Sequence, residues 1–367
     1  MSHAALEATA IARTAIEDHI IRELPVLVLM PHSRCNCRCV MCDIWRIRQV
    51  REMTLRPLTP SLATVRALGV RWVVFSGGEP LLHSDFWSLA RLFRQEGIRT
   101  TVLTAGLTLE RHCVQVAREI DDVIVSLDGP QDVHDRIRGI PGAYDRLERG
   151  IRALRAHRAS MPVHGRCTVQ KHNFRYLRLT VEAARELKLD SLSFLAADIS
   201  SEAFNRVSPW SEDKKSEIAL TAPELDLLMA EIEGLIAEYP HYLRSGFIRE
   251  SPEKLRRIGE HFRAHLGLTA PKAPRCNAPW VSAVIESDGS VRPCFFHPAY
   301  GTIKDGSLLD VLNSDAAVQF RSRLDVANNP ICQRCVCSLH LSSGSARPAS
   351  SSVENEPLTS PGILAPP

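Results

Sequence analysis

From Pro25 to about residue 200 the chain repeats one pattern: a short apolar run, a turn, then a segment with apolar side chains at helical spacing. The runs are 26–30, 71–75, 99–103, 123–127, 163–169 and 191–195; helical spacing marks 60–68, 86–96, 143–155 and 176–187. Apolar runs of this kind are strands buried on both faces of a parallel sheet, and one strand–helix step takes roughly thirty residues. Six such steps predict an α/β fold. Ligand contacts then belong at the C-terminal ends of the strands.

The first strand, Val26-Leu27-Val28-Leu29-Met30, leads into Cys35-Asn36-Cys37-Arg38-Cys39-Val40-Met41-Cys42. Cys35, Cys39 and Cys42 can take three corners of an iron–sulfur cubane and leave the fourth iron open for a ligand that reacts. Cys37 adds a fourth thiol, which would allow a closed cluster or zinc. Zinc sites usually need two separated Cys-x2-Cys pairs, and this loop has one. The second strand runs into Ser76-Gly77-Gly78-Glu79-Pro80. A phosphate loop would want lysine here; Glu79 suits an ammonium partner instead.

Cys35-x3-Cys39-x2-Cys42 after one strand and Gly-Gly-Glu-Pro after the next resemble the radical S-adenosylmethionine (SAM) family. The resemblance implies a partial (β/α)6 TIM-like barrel and a [4Fe–4S] cluster on Cys35, Cys39 and Cys42, with SAM on the open iron. Reductive cleavage of SAM then yields a 5′-deoxyadenosyl radical that abstracts a substrate hydrogen. Cofactor contacts carried over by resemblance are Met41 (usually aromatic in the family), Gly77, Gly78, Glu79, Thr104 of Thr104-Ala105-Gly106, Ser126, and Arg138 of the segment His134–Gly139. Arg166 is expected to reach SAM or substrate, or else to form a salt bridge on the barrel wall. Asp128 is expected to shape a turn, Cys37 to stand by, and Cys113 and Cys167 to be buried structural thiols.

A second cysteine set lies near the C-terminal end. Cys276 and Cys294 flank an expected hairpin, 281–291, turning at Asp288-Gly289; Cys332-x2-Cys335 and Cys337 follow. Four thiolates so arranged serve zinc ribbons as well as clusters. Cys276, Gly289-x4-Cys294, Cys332-x2-Cys335 and the helix-like 308–313 resemble SPASM and twitch domains. The resemblance implies one auxiliary [4Fe–4S] cluster on Cys276, Cys294, Cys332 and Cys335, with Cys337 to spare.

The chain has 367 residues, 44% of them apolar, enough for a large domain and a small one. The expected division is an N-terminal helix (1–22), the barrel (23–200), a helical insertion (201–270), a small α+β cluster-binding domain (271–341) and a disordered tail (342–367). Within this division, 198–216 reads as a polar loop over the barrel mouth. Asp198, Glu202 and Arg206 are its candidate catalytic groups, and helices are expected over 222–238 and 251–266. A net charge of +3, spread along the chain, gives no support to nucleic-acid binding, and no apolar stretch is long enough to span a membrane. Residues 1–24 carry Glu7, Glu17, Asp18 and Glu23 and no signal-peptide core. Eleven cysteines without a secretion signal point to metal or redox chemistry in the cytoplasm.

An all-cysteine auxiliary cluster implies an electron sink. The expected function is therefore oxidation of a small polar natural-product or sugar-like substrate, with a flavodoxin or ferredoxin as electron donor. Modification of a ribosomally made peptide is the runner-up, although the residues before Val26 leave no room for a peptide-binding winged-helix domain. A non-catalytic metal-binding scaffold is the reading from another class; it leaves Gly77-Gly78-Glu79 and Ser126 unexplained.

Overall fold

The structure is a computed structural model that describes residues 18–54, 61–203, 206, 208–304 and 306–341. Six strands run parallel in chain order: β1 (Val26–His32), β2 (Trp72–Gly77), β3 (Arg99–Thr104), β4 (Asp122–Ser126), β5 (Val163–Val169) and β6 (Ser191–Ala196). The helices between and after them are α1 (Leu62–Ala67), α2 (Phe86–Gln95), α3 (Leu109–Glu119), α4 (Gln131–Arg138), α5 (Ala143–His157) and α6 (Leu177–Glu186). This is the partial barrel expected of six strand–helix steps.

Strand alternation sorts the core in two. Leu27, Leu29, Val73, Phe75, Val102, Val123 and Val125 share the larger core with α2 and α3. Phe75 meets Phe86 edge to face at 5.1 Å. The alternate residues Val26, Val28, Val74, Leu103 and Ile124 form a second cluster with Ala278, Val284, Phe295 and Leu339. The C-terminal part of the chain thus packs directly on the second face of the barrel sheet.

That part also extends the sheet. β7 (Ser282–Ile285) pairs in parallel with β1, Val28 opposite Val284, and β8 (Ser290–Arg292) and β9 (Gly301–Thr302) follow antiparallel. The Asp288-Gly289 turn is where expected, with Gly289 at φ +93°. α10 (Leu308–Leu312) and α11 (Asp315–Arg323) come later by chain order. Before them, α7 (Glu212–Ile218), α8 (Ala222–Glu238) and α9 (Pro252–His265) fill the insertion after β6. The segment 247–250 covers the free edge of β6: Leu192 N–H donates to the Phe247 carbonyl (2.6 Å) and Phe194 N–H to Glu250 (2.9 Å).

One expectation is corrected. The expected loop over 198–216 ends in α7, because Ser211 caps Lys214 N–H and lysine–glutamate pairs brace the turn. Of the N-terminal helix, only residues 18–22 are described, and they are not helical; the rest lies outside the described residues, as does the tail from 342. Among the described residues no helix is long and apolar enough to cross a membrane.

Candidate active site

The cysteine loop hangs by its backbone from two places. Gly78 N–H donates to the His32 carbonyl (3.3 Å) and Glu79 N–H to that of Arg34 (2.8 Å), tying its start to the end of β2. Arg38 and Val40 N–H groups donate to the Arg138 and Ile137 carbonyls (2.9 and 3.0 Å), tying its middle to the end of α4. Gly78 is required at this crossing, since an added Cβ would stand 2.1 Å from the Arg34 oxygen.

Cys35, Cys39 and Cys42 line one cavity of about 620 Å³; Cys37 is buried and is not part of its wall. Hydrogen bonds to Cys35 and Cys39, with burial, push the Cys37 thiol well up. The Cys37 hydrogen bond, then the Arg138 charge, bring Cys39 down to about 7 despite burial. Burial pushes Cys42 up. Arg138 Nη1 donates to Cys39 Sγ at 3.5 Å, while Nη2 pairs with Asp128 at 2.5 Å. Asp128 also accepts from Thr168 N–H (2.9 Å), and its own N–H donates to His134 Nδ1 (3.2 Å). That bond puts the ring proton on Nε2, consistent with burial and Arg138 lowering His134 to about 3.

The same cavity is lined by Ser76, Gly77, Gly78, Thr104, Ser126, Arg138 and Arg166. Met41 is buried in the core and Glu79 lies behind the wall. Glu79 accepts from Leu81 N–H (3.2 Å), Ala105 N–H (2.9 Å) and Thr104 Oγ1 (2.9 Å), so its visible role is to clamp the β2 turn to the end of β3. Burial, opposed by these donors, raises its carboxyl to about 7. Ser76 Oγ is buried with no hydrogen-bond partner, an atom placed to receive a ligand. Three thiols on one wall, one of them next to a fixed guanidinium, and an unsatisfied hydroxyl fit a cluster-bound ligand with polar groups.

A second cavity, of about 510 Å³, gathers Cys276, Cys294, Cys332, Cys335 and Cys337. Asn329 caps the turn Pro330–Gln333 through the N–H groups of Ile331 and Cys332 (3.0 and 3.1 Å). Cys335 Sγ donates to the Cys337 carbonyl at 2.7 Å, and His297 Nε2 lies 3.3 Å from Cys332 Sγ. Burial pushes Cys294 up to about 11 and Cys332 and Cys337 up to about 12. Buried thiols become thiolates only beside positive charge, which an iron–sulfur centre provides. The donor set fits such a centre.

Between these two lies a third cavity, of about 630 Å³. Arg166 belongs to its wall and to that of the first cavity; Cys335 and Cys337 belong to its wall and to that of the second. Glu250, raised to about 7 by burial against the Phe194 N–H and Arg166, also lines it. None of the candidate catalytic groups lines these cavities, although the Arg206 charge acts on Cys42 and that of Asp198 on Cys337 and His261. Asp198 and Arg206 form a buried pair at 2.7 Å, covered by Trp210 at 3.7 Å, and Glu202 is exposed. Glu250 was missed, because its backbone partner Phe194 lies 56 residues away.

Comparison with known proteins matches residues 29–184 to the radical SAM superfamily and residues 276–336 to the SPASM iron–sulfur cluster-binding domain. Fe-coproporphyrin III synthase of Methanosarcina barkeri is 25% identical over 85% of this chain and 80% of its own length. The AdoMet-dependent heme synthase of the same organism is 34% identical, over 42% of this chain and 45% of its own length. Streptococcus suis SuiB, solved with its precursor peptide SuiA, has a similar fold: TM-score 0.61, 16% identity, 91% of this chain and 76% of that one. Residues 29–184 thus form a radical SAM domain and residues 276–336 a SPASM-type domain, which imply as cofactors SAM, a SAM-binding [4Fe–4S] cluster and an auxiliary iron–sulfur cluster.

Proposed function

We propose that this radical SAM enzyme oxidises a small molecule seated in the middle cavity. The observation that carries the reading is the shared wall: one space touches Arg166 of the SAM side and Cys335 and Cys337 of the auxiliary side. Cys35, Cys39 and Cys42 hold the SAM-binding cluster, and Cys276, Cys294, Cys332 and Cys335 the auxiliary one. When bound, these groups supply a 5′-deoxyadenosyl radical as hydrogen acceptor and an electron acceptor for what remains of the substrate.

The chain's own residues position and deprotonate. Arg138 steadies the Cys39 thiolate, and Arg166, held by Ser193 at 3.1 Å, separates the two spaces. An oxidation by loss of one hydrogen atom and one electron also releases a proton. Glu250 is the acceptor: a carboxyl with a pKa of about 7, on the cavity wall, takes up a proton near neutral pH. Relatives named as synthases of Fe-coproporphyrin III and of heme support a small molecule, while a relative named as PqqA peptide cyclase keeps peptide modification as the second reading. A flavodoxin or ferredoxin is the expected electron donor.

The test uses anaerobic, cluster-loaded protein with SAM and dithionite. Formation of 5′-deoxyadenosine should rise when the low-molecular-mass fraction of a source-cell extract is added. A rise with the peptide fraction alone would replace this reading with peptide modification.

A further inference from the structure

We propose that the middle cavity takes a substrate bearing carboxylates on an apolar body. The inference rests on that cavity being the substrate site and names what the site selects. Three cations line it: Arg166 from β5, and Lys254 and Arg257 from α9. Residues 254 and 257 stand one helical turn apart, so one face of α9 presents both charges toward β6. Arg257 Nη2 donates to the Cys335 carbonyl at 3.0 Å, which holds the guanidinium against the auxiliary loop. Lys254 is exposed at the rim, and Arg166 is buried at the inner end.

The opposing charge is small. Glu250 is the one carboxyl of the wall, and Cys335 and Cys337 also line it. His261, also on the wall, is lowered to about 4 by burial, with Asp198 opposing, and adds no charge there. Outside the wall, Asp198 is matched by Arg206 at 2.7 Å, and Glu260 is exposed on α9. On this wall three cations stand against one carboxyl, so an anionic group of a ligand would meet guanidinium and ammonium donors. Guanidinium groups grip carboxylates in two-pronged fashion. The rest of the wall, Phe194, Leu195, Ala196, Ile258 and Val336, is apolar. A bare inorganic anion would satisfy the cations and leave that surface wet; an apolar body with carboxylates covers both.

The experiment titrates the full chain, loaded anaerobically with clusters and SAM, with coproporphyrin III, an apolar ring rimmed by carboxylates with a visible band. The comparison ligand is its methyl ester, which keeps the ring and removes the charges. The acid should bind in the micromolar range and the ester at least about tenfold more weakly. Lys254→Glu, at an exposed position where folding is not at stake, should weaken the acid about tenfold. Arg257→Lys should weaken it less than Arg257→Gln. Equal binding of acid and ester, no binding of the acid, or an inert Lys254→Glu would overturn the assignment. The same wild-type preparation is assayed for 5′-deoxyadenosine: cleavage without binding removes the carboxylate assignment alone, and binding without cleavage removes the enzymatic reading alone.

Discussion

A methyl group on Gly78 would stand 2.1 Å from the Arg34 carbonyl oxygen and 2.5 Å from its carbon, both backbone atoms that cannot rotate away. Gly78→Ala must therefore push the cysteine loop off β2. The expected result is a folded protein that reconstitutes with about half the iron of the wild type, by iron and sulfide assay. Glu250 allows a second test. Its folded pKa of about 7 lies above its ordinary 4.5, so the folded chain binds the extra proton between those values and loses stability as pH rises through them. Buried His134 and His261, lowered to about 3 and 4, act in the opposite sense below pH 6.5. The difference between Glu250→Gln and wild type isolates the carboxyl. The variant should gain on the order of 2 kcal/mol relative to wild type from pH 5 to 8 by denaturant unfolding. A flat difference would mean that Glu250 is not desolvated. At this scale the grouping of Cys35, Cys39 and Cys42 on one cavity wall was legible from spacing, because a loop this short leaves few arrangements. The clamp role of Glu79 and the place of Glu250 were not legible. Glu250 meets Phe194 across 56 residues, and no local pattern announces such a pair.

Among the elements, β7 does the most to join the two halves. Its parallel pairing with β1 puts Ser282–Ile285 beside Val26–Leu29. Phe295 and Leu339 then pack on Val26, Val28, Val74, Leu103 and Ile124, the face that alternation turns away from the helices. Leu339 is fully enclosed, and its carbonyl accepts from Asn277 N–H at 2.8 Å, next to Cys276. Leu339→Ala should cost about 2 to 5 kcal/mol by thermal or denaturant unfolding. It should also loosen auxiliary iron before the SAM-side cluster; equal loss from both would contradict this placement. The six strand–helix steps could be read in order because each buries a continuous apolar run. The Asp288-Gly289 hairpin was equally plain. That β7 continues the barrel sheet was not visible, since a four-residue strand carries no mark of a partner more than 250 residues earlier. α7 was hidden for a related reason: its sequence is polar except for the buried Ile218, and a cap and lysine–glutamate pairs, not an apolar face, define it.

Across the whole molecule, three cavities follow one another from the cysteine loop to the C-terminal thiols, joined by Arg166 on one side and by Cys335 and Cys337 on the other. In the proposed oxidation, hydrogen would leave at one end of the middle cavity and an electron at the other, which would account for thiols in two distant sets. The central claim is that the first set supports SAM cleavage. It is tested most directly on anaerobically reconstituted protein, by measuring 5′-deoxyadenosine formed from SAM under dithionite beside iron and sulfide content. The account predicts cleavage and about eight irons per chain, with cleavage abolished and about half the iron lost in the Cys35/Cys39/Cys42→Ala variant. Zinc without sulfide, or wild-type protein with full iron and no deoxyadenosine, would contradict it.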